Sequence, residues 1–377
     1  MHASKQNFIV ISENLILLAH ALVAIHAFTD ANCVAVCSRD SRLFRLTNLA
    51  RREIHADLHG SDDQYLVAEL SRLTETMPDA IIVPCDCPGE RLVDRIRGHL
   101  HAAIIPVPNA AMLNFNDKWW FYQFCRQHDL PVPPSRWIAS KRDLHFDSVA
   151  HGLGLPFVVK PLSQEGSNGV CVIASEEEYR NNILHNAGYA FAPLIAQRYI
   201  EGTDVGVNLL AIHGRVTAIA VQQRDFPQHF SSPIEFISSP DLERAAHSLC
   251  EISGYHGMMN IDARVEDGTG KVFLLESNPR LWGSLLASVW CGLNFIQACI
   301  DPPLPAGQIR QLHAGRADTH RHPIVRPALW GQALFSPYLH RRRMLRRMLC
   351  DLWTFQHQVR VRLKNTQKTL GSRVPFS

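Results

Sequence analysis

The chain has 377 residues, 46% of them hydrophobic and 19% charged, which is typical of a globular protein with two or three sub-domains. Its best candidate for a membrane span, residues 14–28, is too short to cross a bilayer and is interrupted by His20 and His26. The net charge of only +3 argues against a protein devoted wholly to binding nucleic acid.

The N-terminal third alternates short apolar runs, rich in strand-forming residues, with helical patterns. Strands are predicted at 8–12, 32–38, 79–85 and 102–108, and helices at 14–28, 63–76 and 89–99. Buried strands separated by helix-length segments predict a parallel sheet with crossover helices. Because no G-x-G-x-x-G follows the first strand, we expect no dinucleotide cofactor there.

The pattern changes after residue 115. Residues 116–134 predict a helix that begins at Asn116 or Asp117 and stops in a proline-rich stretch. Antiparallel strands are then predicted at 155–161, 170–175, 194–212 and 214–225, helices at 175–187 and 240–255, and a hairpin at 257–280. The turn of this last hairpin contains Asp-Gly and a second glycine, which suit positive φ.

The C-terminal segment is strongly basic, since residues 308–377 contain 14 Arg and Lys against two Asp. Residues 336–368 predict a pair of basic helices behind a linker at 302–307. Three roles are open: a helical cap on the body, peripheral contact with an anionic membrane, and contact with nucleic acid. We consider nucleic acid the least supported, because only charge favours it.

The ten cysteines are scattered, and the two close pairs, Cys33/Cys37 and Cys85/Cys87, have no partner pair at metal-site spacing. Most lie in apolar runs, where a reduced cysteine behaves as a small hydrophobe. We therefore predict free thiols. Together with an N-terminus that enters a strand without the regions of a signal peptide, they lead us to expect a cytoplasmic protein.

The predicted hairpin at 257–280 carries three oxygen-bearing side chains. Its turn places Asp262 on the first strand roughly opposite Leu274–Glu276 on the second, with Asn278 on the same face as Glu276. Carboxylates this close repel each other, and a divalent cation such as Mg²⁺ is the natural compensation. Arg280 is next in register, so we predict a metal–phosphate site rather than a solvent-facing strand end.

Three other segments carry possible ligand-binding residues, but each one alone is weak evidence for function. Lys160 ends an apolar strand before a glycine-containing loop whose backbone N–H groups could close over phosphates, although it could equally extend to the surface. Lys118 begins a helix, where lysines are usually solvated. Residues 197–204 could offer an amide, a backbone donor and a carboxylate to a nucleoside, or could simply be a strand and a turn.

Together these motifs resemble the ATP-grasp superfamily, because four of them occur in that family's order between residues 115 and 285. They are "DK" before "LPVPP", "VVKP" with its glycine loop, "QRYIEGTD", and "NID…LLESNPR". The stretch "NPRLWGSLLASVWCGLNF" is similar to the carbamoyl-phosphate-synthetase-like and amino-acid-ligase branches. The first hundred residues are similar to the family's N-terminal domain.

The resemblance implies a role for each matching residue. Lys118 and Lys160 would hold the α- and β-phosphates of ATP, and Gln197, Tyr199 and Ile200 would recognise adenine. Asp204 would bind the ribose. The mobile lid would consist of Glu165, Gly166, Ser167, Asn168 and Gly169.

It also implies a catalytic centre. Glu276 and Asn278 would bind Mg²⁺, with Glu276 bridging two ions, and Asp262 would be the remaining ligand, although many members have glutamate at its position. Mn²⁺ could replace Mg²⁺. Arg280 would neutralise an acyl phosphate, with Lys160 and Glu276 as its catalytic partners, and Arg264 would be either a second clamp or a surface residue.

The predicted fold class is therefore α/β and α+β. A Rossmann-like parallel-sheet domain (1–112) precedes an ATP-grasp fold made of a lid subdomain (113–196) and a metal-binding subdomain (197–301), with a basic helical tail at 302–377. The function implied is ATP-dependent ligation of a small-molecule acid to an amine through an acyl phosphate. A homodimer is one option for the assembly of the chain. The alternatives are a bicarbonate-phosphorylating carboxylase or carbamoyl-phosphate-type enzyme, and a non-catalytic ATP sensor.

Overall fold

The computed structural model describes residues 5–38, 46–162, 164, 168–224, 233–305, 307–318, 331, 335–354 and 356. The chain forms two compact units, each assembled from separate segments. The first unit contains residues 1–109, 224–236 and 280–377, and the second contains residues 110–223 and 237–279.

The first unit contains a five-stranded parallel sheet of order β3-β2-β1-β4-β5 with the predicted crossover helices. Its elements are β1 (Gln6–Ile11), α1 (Leu15–Phe28), β2 (Ala31–Cys37), β3 (Arg52–His55), α2 (Asp63–Thr76), β4 (Ile81–Pro84), α3 (Cys87–Ile96) and β5 (Ala103–Ile104). The central strands β1 and β2 are buried because nearly all their side chains are apolar. β3 was not predicted, because its sequence is mostly polar.

The last strand of this sheet is much shorter than predicted. β5 pairs with β4 over two residues, although residues 102–108 are apolar throughout. Pro106 and Pro108 lack the backbone N–H that a longer ladder would need, so the pairing stops before them.

The rest of the first unit comes from later segments of the chain. They supply β12 (Ile234–Ile237), α8 (Leu285–Cys291), α9 (Phe295–Ile300), β15 (Arg310–Leu312), β16 (Gly315–Ala317) and α10 (Leu339–Cys350). β12 pairs antiparallel with β16. None of these short elements except α10 was predicted, because each has fewer residues than a periodic pattern needs.

The basic helix α10 packs against α1, and its Met344, Leu345 and Met348 side chains are buried. Arg343 Nη1 donates to the carbonyl of Phe28 at 2.9 Å, and Arg341 Nε donates to the carbonyl of Trp290 at 2.7 Å. These carbonyls belong to the last turns of α1 and α8. There the arginines supply hydrogen-bond donors to acceptors that the helix leaves unpaired, and their positive charge interacts favourably with the helix dipole.

The described part of the tail is therefore a helical cap on the body, which was one of the three roles considered. Three of the apolar side chains that a membrane-surface helix would insert, Met344, Leu345 and Met348, are already buried, whereas Leu339 at the start of α10 is exposed. The second helix predicted in this segment lies almost entirely outside the described residues. No helix among the described residues is long and apolar enough to span a membrane.

The second unit begins with a small antiparallel sheet of order β6-β9-β7-β8. Its elements are α4 (Lys118–Gln127), β6 (Ser135–Ile138), α5 (Phe146–Leu153), β7 (Phe157–Pro161), β8 (Cys171–Ile173), α6 (Glu176–Tyr179) and β9 (Leu194–Arg198). The core of this sheet includes Phe157, Val159, Tyr179 and Leu194. The boundary predicted between residues 196 and 197 falls inside β9, so the sheet includes residues assigned to both predicted subdomains.

The second unit also contributes the strands β14-β13-β10-β11 of a larger antiparallel sheet. They are β10 (Gly202–Ile212), β11 (Arg215–Arg224), β13 (Gly257–Glu266) and β14 (Val272–Asn278), with α7 (Pro240–Ser253) between β12 and β13 in sequence. The predicted hairpin and the predicted helix at 240–255 are both present in this unit.

The contact between α10 and α1 generates a stability prediction. We expect Met344→Ala to lower the free energy of unfolding by about 2–5 kcal/mol, because Met344 is buried and its loss leaves a cavity. Urea denaturation of the full chain measures this change. The matched control is Arg342→Ala on the exposed face of α10, and equal effects of the two substitutions would show that α10 is not packed as described.

Candidate nucleotide and metal site

One face of the larger sheet carries the predicted metal ligands. Asp262 on β13 lies directly opposite Glu276 on β14, and Asn260 lies opposite Asn278. A β-bulge follows immediately, because Ala263 pairs with Leu274 and Leu275 has no partner in the register. Such a bulge redirects side chains, and here it places Glu276 and Asn278 on the face that carries Asp262.

The three predicted ligands are close together. Asn278 Nδ2 lies 3.4 Å from the Asp262 Oδ2 carboxylate oxygen, and Asp262 is in register with Glu276. Two carboxylates and a side-chain amide form an all-oxygen donor set that fits Mg²⁺ or Mn²⁺ better than zinc. The residues therefore fit the predicted cation.

Lys118 is buried rather than solvated, with only 7% of its surface exposed. It is the first residue of α4, and Asp117 caps that helix by accepting from the N–H groups of Trp119 and Trp120. The Lys118 ammonium lies 3.4 Å from Glu276 Oε2 and donates to the carbonyl of Gln164 at 2.9 Å. The start of α4 thus places the Lys118 ammonium group beside Glu276, a predicted metal ligand.

Lys160 is the second buried cation. It is 8% exposed at the end of β7 and donates to Gln197 Oε1 at 3.1 Å. Burial lowers the pKa of Lys160, while Glu276 opposes this shift and Lys118 adds to it. The two lysines and Glu276 are therefore close enough to influence each other electrostatically.

The predicted adenine-binding amide is already used within the protein. Gln197 accepts from Lys160 and donates through Nε2 to Ser135 Oγ at 3.2 Å. Tyr199 and Ile200 follow β9 in the short connection to β10, and Ile200 is buried. Gln197 thus orients Lys160 directly, a role that the sequence did not indicate.

Arg264 lies with the predicted nucleoside residues. Its Nε atom is 3.1 Å from Asp204 Oδ1 and 3.2 Å from the carbonyl of Gly202, and its guanidinium lies 4.8 Å from the ring centre of Tyr199. Arg264 and Asp204 are in register on β13 and β10. This arrangement supports Asp204 and Tyr199, in contrast to the second phosphate clamp considered from the sequence.

Part of the predicted lid lies outside the described residues, namely Glu165, Gly166 and Ser167. Its described end is firmly held, because the carbonyl of Gly169 accepts from Tyr189 Oη at 2.8 Å. Gly169 has φ of +75°, and a Cβ there would lie 2.6 Å from the Phe191 ring. Only glycine suits this position. Asn168 donates to Gln164 Oε1 at 3.0 Å.

Arg280 belongs to the first unit and is mostly buried. In the same unit, Glu90 is only 1% exposed, and its Oε2 atom has no hydrogen-bond partner among the described residues. Burial raises the pKa of Glu90 well above its usual range, Asp86 adds to this, and Arg280 opposes it. Glu90 is therefore a buried acid within electrostatic reach of the predicted catalytic arginine.

Glu90 was not among the site residues predicted from the sequence. The signal was available, because "CDCPGE" follows β4 at the carboxyl edge of the parallel sheet, where ligands of such sheets bind. Asp86 caps α3 there by accepting from the N–H of Gly89, and it also accepts from Ser12 Oγ at 2.7 Å. An acid one turn into a helix is usually solvated, so the pattern alone did not distinguish Glu90.

Residues 190–316 match a family described as ATP-grasp in the biosynthetic pathway with Ter operon. The chain is also 27% identical over 253 residues to a D-alanine–D-alanine ligase of Chromohalobacter salexigens, covering 62% of this chain and 76% of that protein. Over residues 190–316 the chain is therefore similar to the ATP-grasp family. Matches to other relatives are shorter, such as the D-alanine–D-alanine ligase of Geobacter sulfurreducens, 32% identical over 40% of this chain and 50% of that one.

Solved structures agree with the ATP-grasp fold. An L-amino acid ligase from Bacillus licheniformis superposes with a TM-score of 0.59 at 16% identity, covering 81% of this chain and 77% of that one. An N5-carboxyaminoimidazole synthase from Aspergillus clavatus, in complex with ADP, gives 0.64 at 12% identity and covers 88% and 87%. The predicted α/β and α+β fold class is thus confirmed.

The environment of Glu90 generates a pH prediction. A carboxyl group whose pKa is raised by folding binds its proton more tightly in the folded state, so it destabilises the fold as pH rises above about 4.3, its unfolded pKa. We expect Glu90→Gln to be about 1–3 kcal/mol more stable than the wild type at pH 8, because glutamine avoids the buried charge. Near pH 4 the difference should be small.

Urea denaturation at both pH values measures this effect. Glu75→Gln, which changes an exposed acid on α2, is the control. A Glu90→Gln protein that is less stable than the wild type at pH 8 would contradict the prediction, since Arg280 would then be stabilising an ionised Glu90.

Proposed function

We propose that this protein is an ATP-grasp enzyme, an ATP-dependent ligase that joins a carboxylate to an amine and releases ADP and phosphate. The observation that carries the proposal is the convergence of buried Lys118 with Glu276, at 3.4 Å, on the sheet face that also bears Asp262 and Asn278. Relatives described as D-alanine–D-alanine ligases and a structural neighbour described as an L-amino acid ligase support this class of reaction.

The reaction needs activation of the acid, because a carboxylate is too weak an electrophile for an amine. A carboxylate oxygen attacks the γ-phosphorus of ATP, the bond to ADP breaks, and an acyl phosphate forms. The amine nitrogen then attacks the acyl carbon, phosphate leaves, and the amine loses a proton. Phosphoryl transfer of this kind depends mainly on alignment and charge neutralisation.

In this proposal the two buried lysines hold the α- and β-phosphates of ATP. Lys160 is oriented for this task by Gln197, and Lys118 by its position at the capped start of α4. Asp204, supported by Arg264, accepts from the ribose, while Gln197 and the chain at Tyr199 and Ile200 contact adenine.

Asp262, Glu276 and Asn278 would hold two Mg²⁺ ions, or Mn²⁺ in their place. The metal would neutralise phosphate charge and orient the transferred group. The loop containing Glu165, Gly166, Ser167 and Gly169 would exclude water from the acyl phosphate. Arg280 follows Asn278 by two residues and would neutralise the acyl phosphate as it forms and collapses.

The substrates belong to the proposal only as classes: a small carboxylic acid and a small amine, with amino acids as the first candidates because of the names of the relatives. The four-segment division (1–112, 113–196, 197–301, 302–377), a homodimer and a cytoplasmic location also remain proposals. The ten free cysteines agree with a reducing compartment.

The proposal predicts ADP release that requires both an acid and an amine. Pairs of amino acids and small acids are screened by phosphate release, and products are identified by mass. We expect Glu276→Gln to reduce turnover at least about 100-fold, because the substitution removes a charged ligand and the partner of Lys118. Glu251→Gln on the exposed face of α7 is the control and should retain full turnover.

Two results would redirect the proposal. ADP release with bicarbonate and no other acid would favour the carboxylase or carbamoyl-phosphate class, and two structural neighbours are carboxylases by name. Nucleotide binding without turnover for any pair would favour a non-catalytic sensor.

A further inference from the structure

A chain of four side-chain amides crosses the larger sheet next to the proposed metal ligands. Asn278 Nδ2 donates to Asn260 Oδ1 at 3.1 Å, and Asn260 Nδ2 donates to Asn208 Oδ1 at 3.1 Å. Asn208 Nδ2 then donates to Gln222 Oε1 at 3.0 Å. The four residues lie on the successive strands β14, β13, β10 and β11. We call these residues the amide chain.

Strand register explains why the amide chain forms. Asn278 is opposite Asn260, and Asn260 is opposite Asn208, so their side chains meet on one face. Gln222 instead pairs with Gly206, two residues along β10, and its longer side chain reaches Asn208 diagonally. Because Gly206 has no side chain, this part of the sheet face is open to Gln222.

The amide chain has a direction. An amide offers donors on one side and an acceptor on the other, so reversing one member sets donor against donor or acceptor against acceptor. The contact beside the metal ligands has the same direction, because the Asp262 carboxylate can only accept and Asn278 Nδ2 lies 3.4 Å from it. Each following amide must then donate towards Gln222.

Burial makes this direction costly to reverse. Asn208 is fully buried and Asn260 is nearly so, so water cannot replace a lost partner. With its nitrogen donating to Asn260 and Asp262, Asn278 does not use its carbonyl oxygen in the amide chain. Oxygen is the atom that a magnesium ligand must present.

We propose that Asn260, Asn208 and Gln222 are positioning residues that fix the orientation of the Asn278 amide for cation binding. This inference rests on the proposed function, because it requires Asn278 to be a ligand. Asn208 acts through Asn260, and Gln222 acts through Asn208. Partners of this kind commonly change metal affinity 10- to 100-fold when they are removed.

The test measures Mn²⁺ affinity by water-proton relaxation in the presence of saturating ADP, so it does not depend on turnover. We expect Asn208→Leu, similar in size but without polar atoms, to weaken Mn²⁺ binding about 10- to 100-fold while the affinity for ADP alone stays unchanged. Thr217→Val is the matched control. Thr217 Oγ1 donates to the Leu210 carbonyl, so the substitution also removes a hydrogen bond between β11 and β10, but one outside the amide chain.

A second pair of variants covers the case in which Asn208→Leu does not fold. Gln222 is half-buried, and Gln222→Met removes the terminal acceptor, whereas Gln222→Glu keeps it. We expect the methionine variant to weaken Mn²⁺ binding and the glutamate variant to retain it. Wild-type affinity in both Asn208→Leu and Gln222→Met would overturn the inference, as would an equal loss in Thr217→Val.

The same measurements distinguish failure of the proposed function from failure of the positioning role. If wild-type protein binds no Mn²⁺ with ADP, or if Glu276→Gln binds it as tightly as the wild type, the metal site itself is wrong and the inference falls with it. If wild-type protein binds Mn²⁺ and Glu276→Gln does not, but the amide-chain variants are unaffected, only the positioning role is wrong.

Discussion

The site depends on compensation between buried charges of opposite sign. Lys118 and Lys160 are both withdrawn from water, and burial of an ammonium group is unfavourable without a nearby anion. Glu276 provides that anion, since it lies 3.4 Å from Lys118 and opposes the effect of burial on Lys160. Loss of the Glu276 carboxylate would leave the buried lysine charges uncompensated, and loss of the lysines would do the same to the carboxylate. This mutual dependence explains why the lysines and the acid occur together.

The sequence predicted the parts of this arrangement that depend on local pattern. The hairpin that carries Asp262 and Glu276 was recognised from its turn residues and apolar strands, which placed Asp262 within one residue of its observed partner, whereas the bulge that decides the pairing was not predicted. The crossover helices of the parallel sheet were recognised for a similar reason, since long periodic segments such as 63–76 are unambiguous. The polar strand β3 and the short strand β5 show the limits of prediction from hydrophobic pattern. β3 forms because it pairs with a neighbouring strand, and prolines determine the length of β5.

Contacts between distant residues could not be predicted from pattern. Burial of Lys118, the bond between Gln197 and Lys160, and burial of Glu90 each depend on segments far apart in sequence. The amide chain is a further example, because Asn208 and Gln222 are ordinary polar residues in otherwise apolar strands until the register aligns them. Single polar residues in a strand carry no signal of their partners.

The hydrogen bond from Arg343 to Phe28 joins residues 315 positions apart. During synthesis from the N-terminus, α1 is therefore complete long before α10 emerges from the ribosome to cover it. The nascent first unit must wait with an apolar helix face exposed while the whole of the second unit is translated. The first unit is therefore completed late, and folding of its N-terminal part depends on a helix near the other end of the chain.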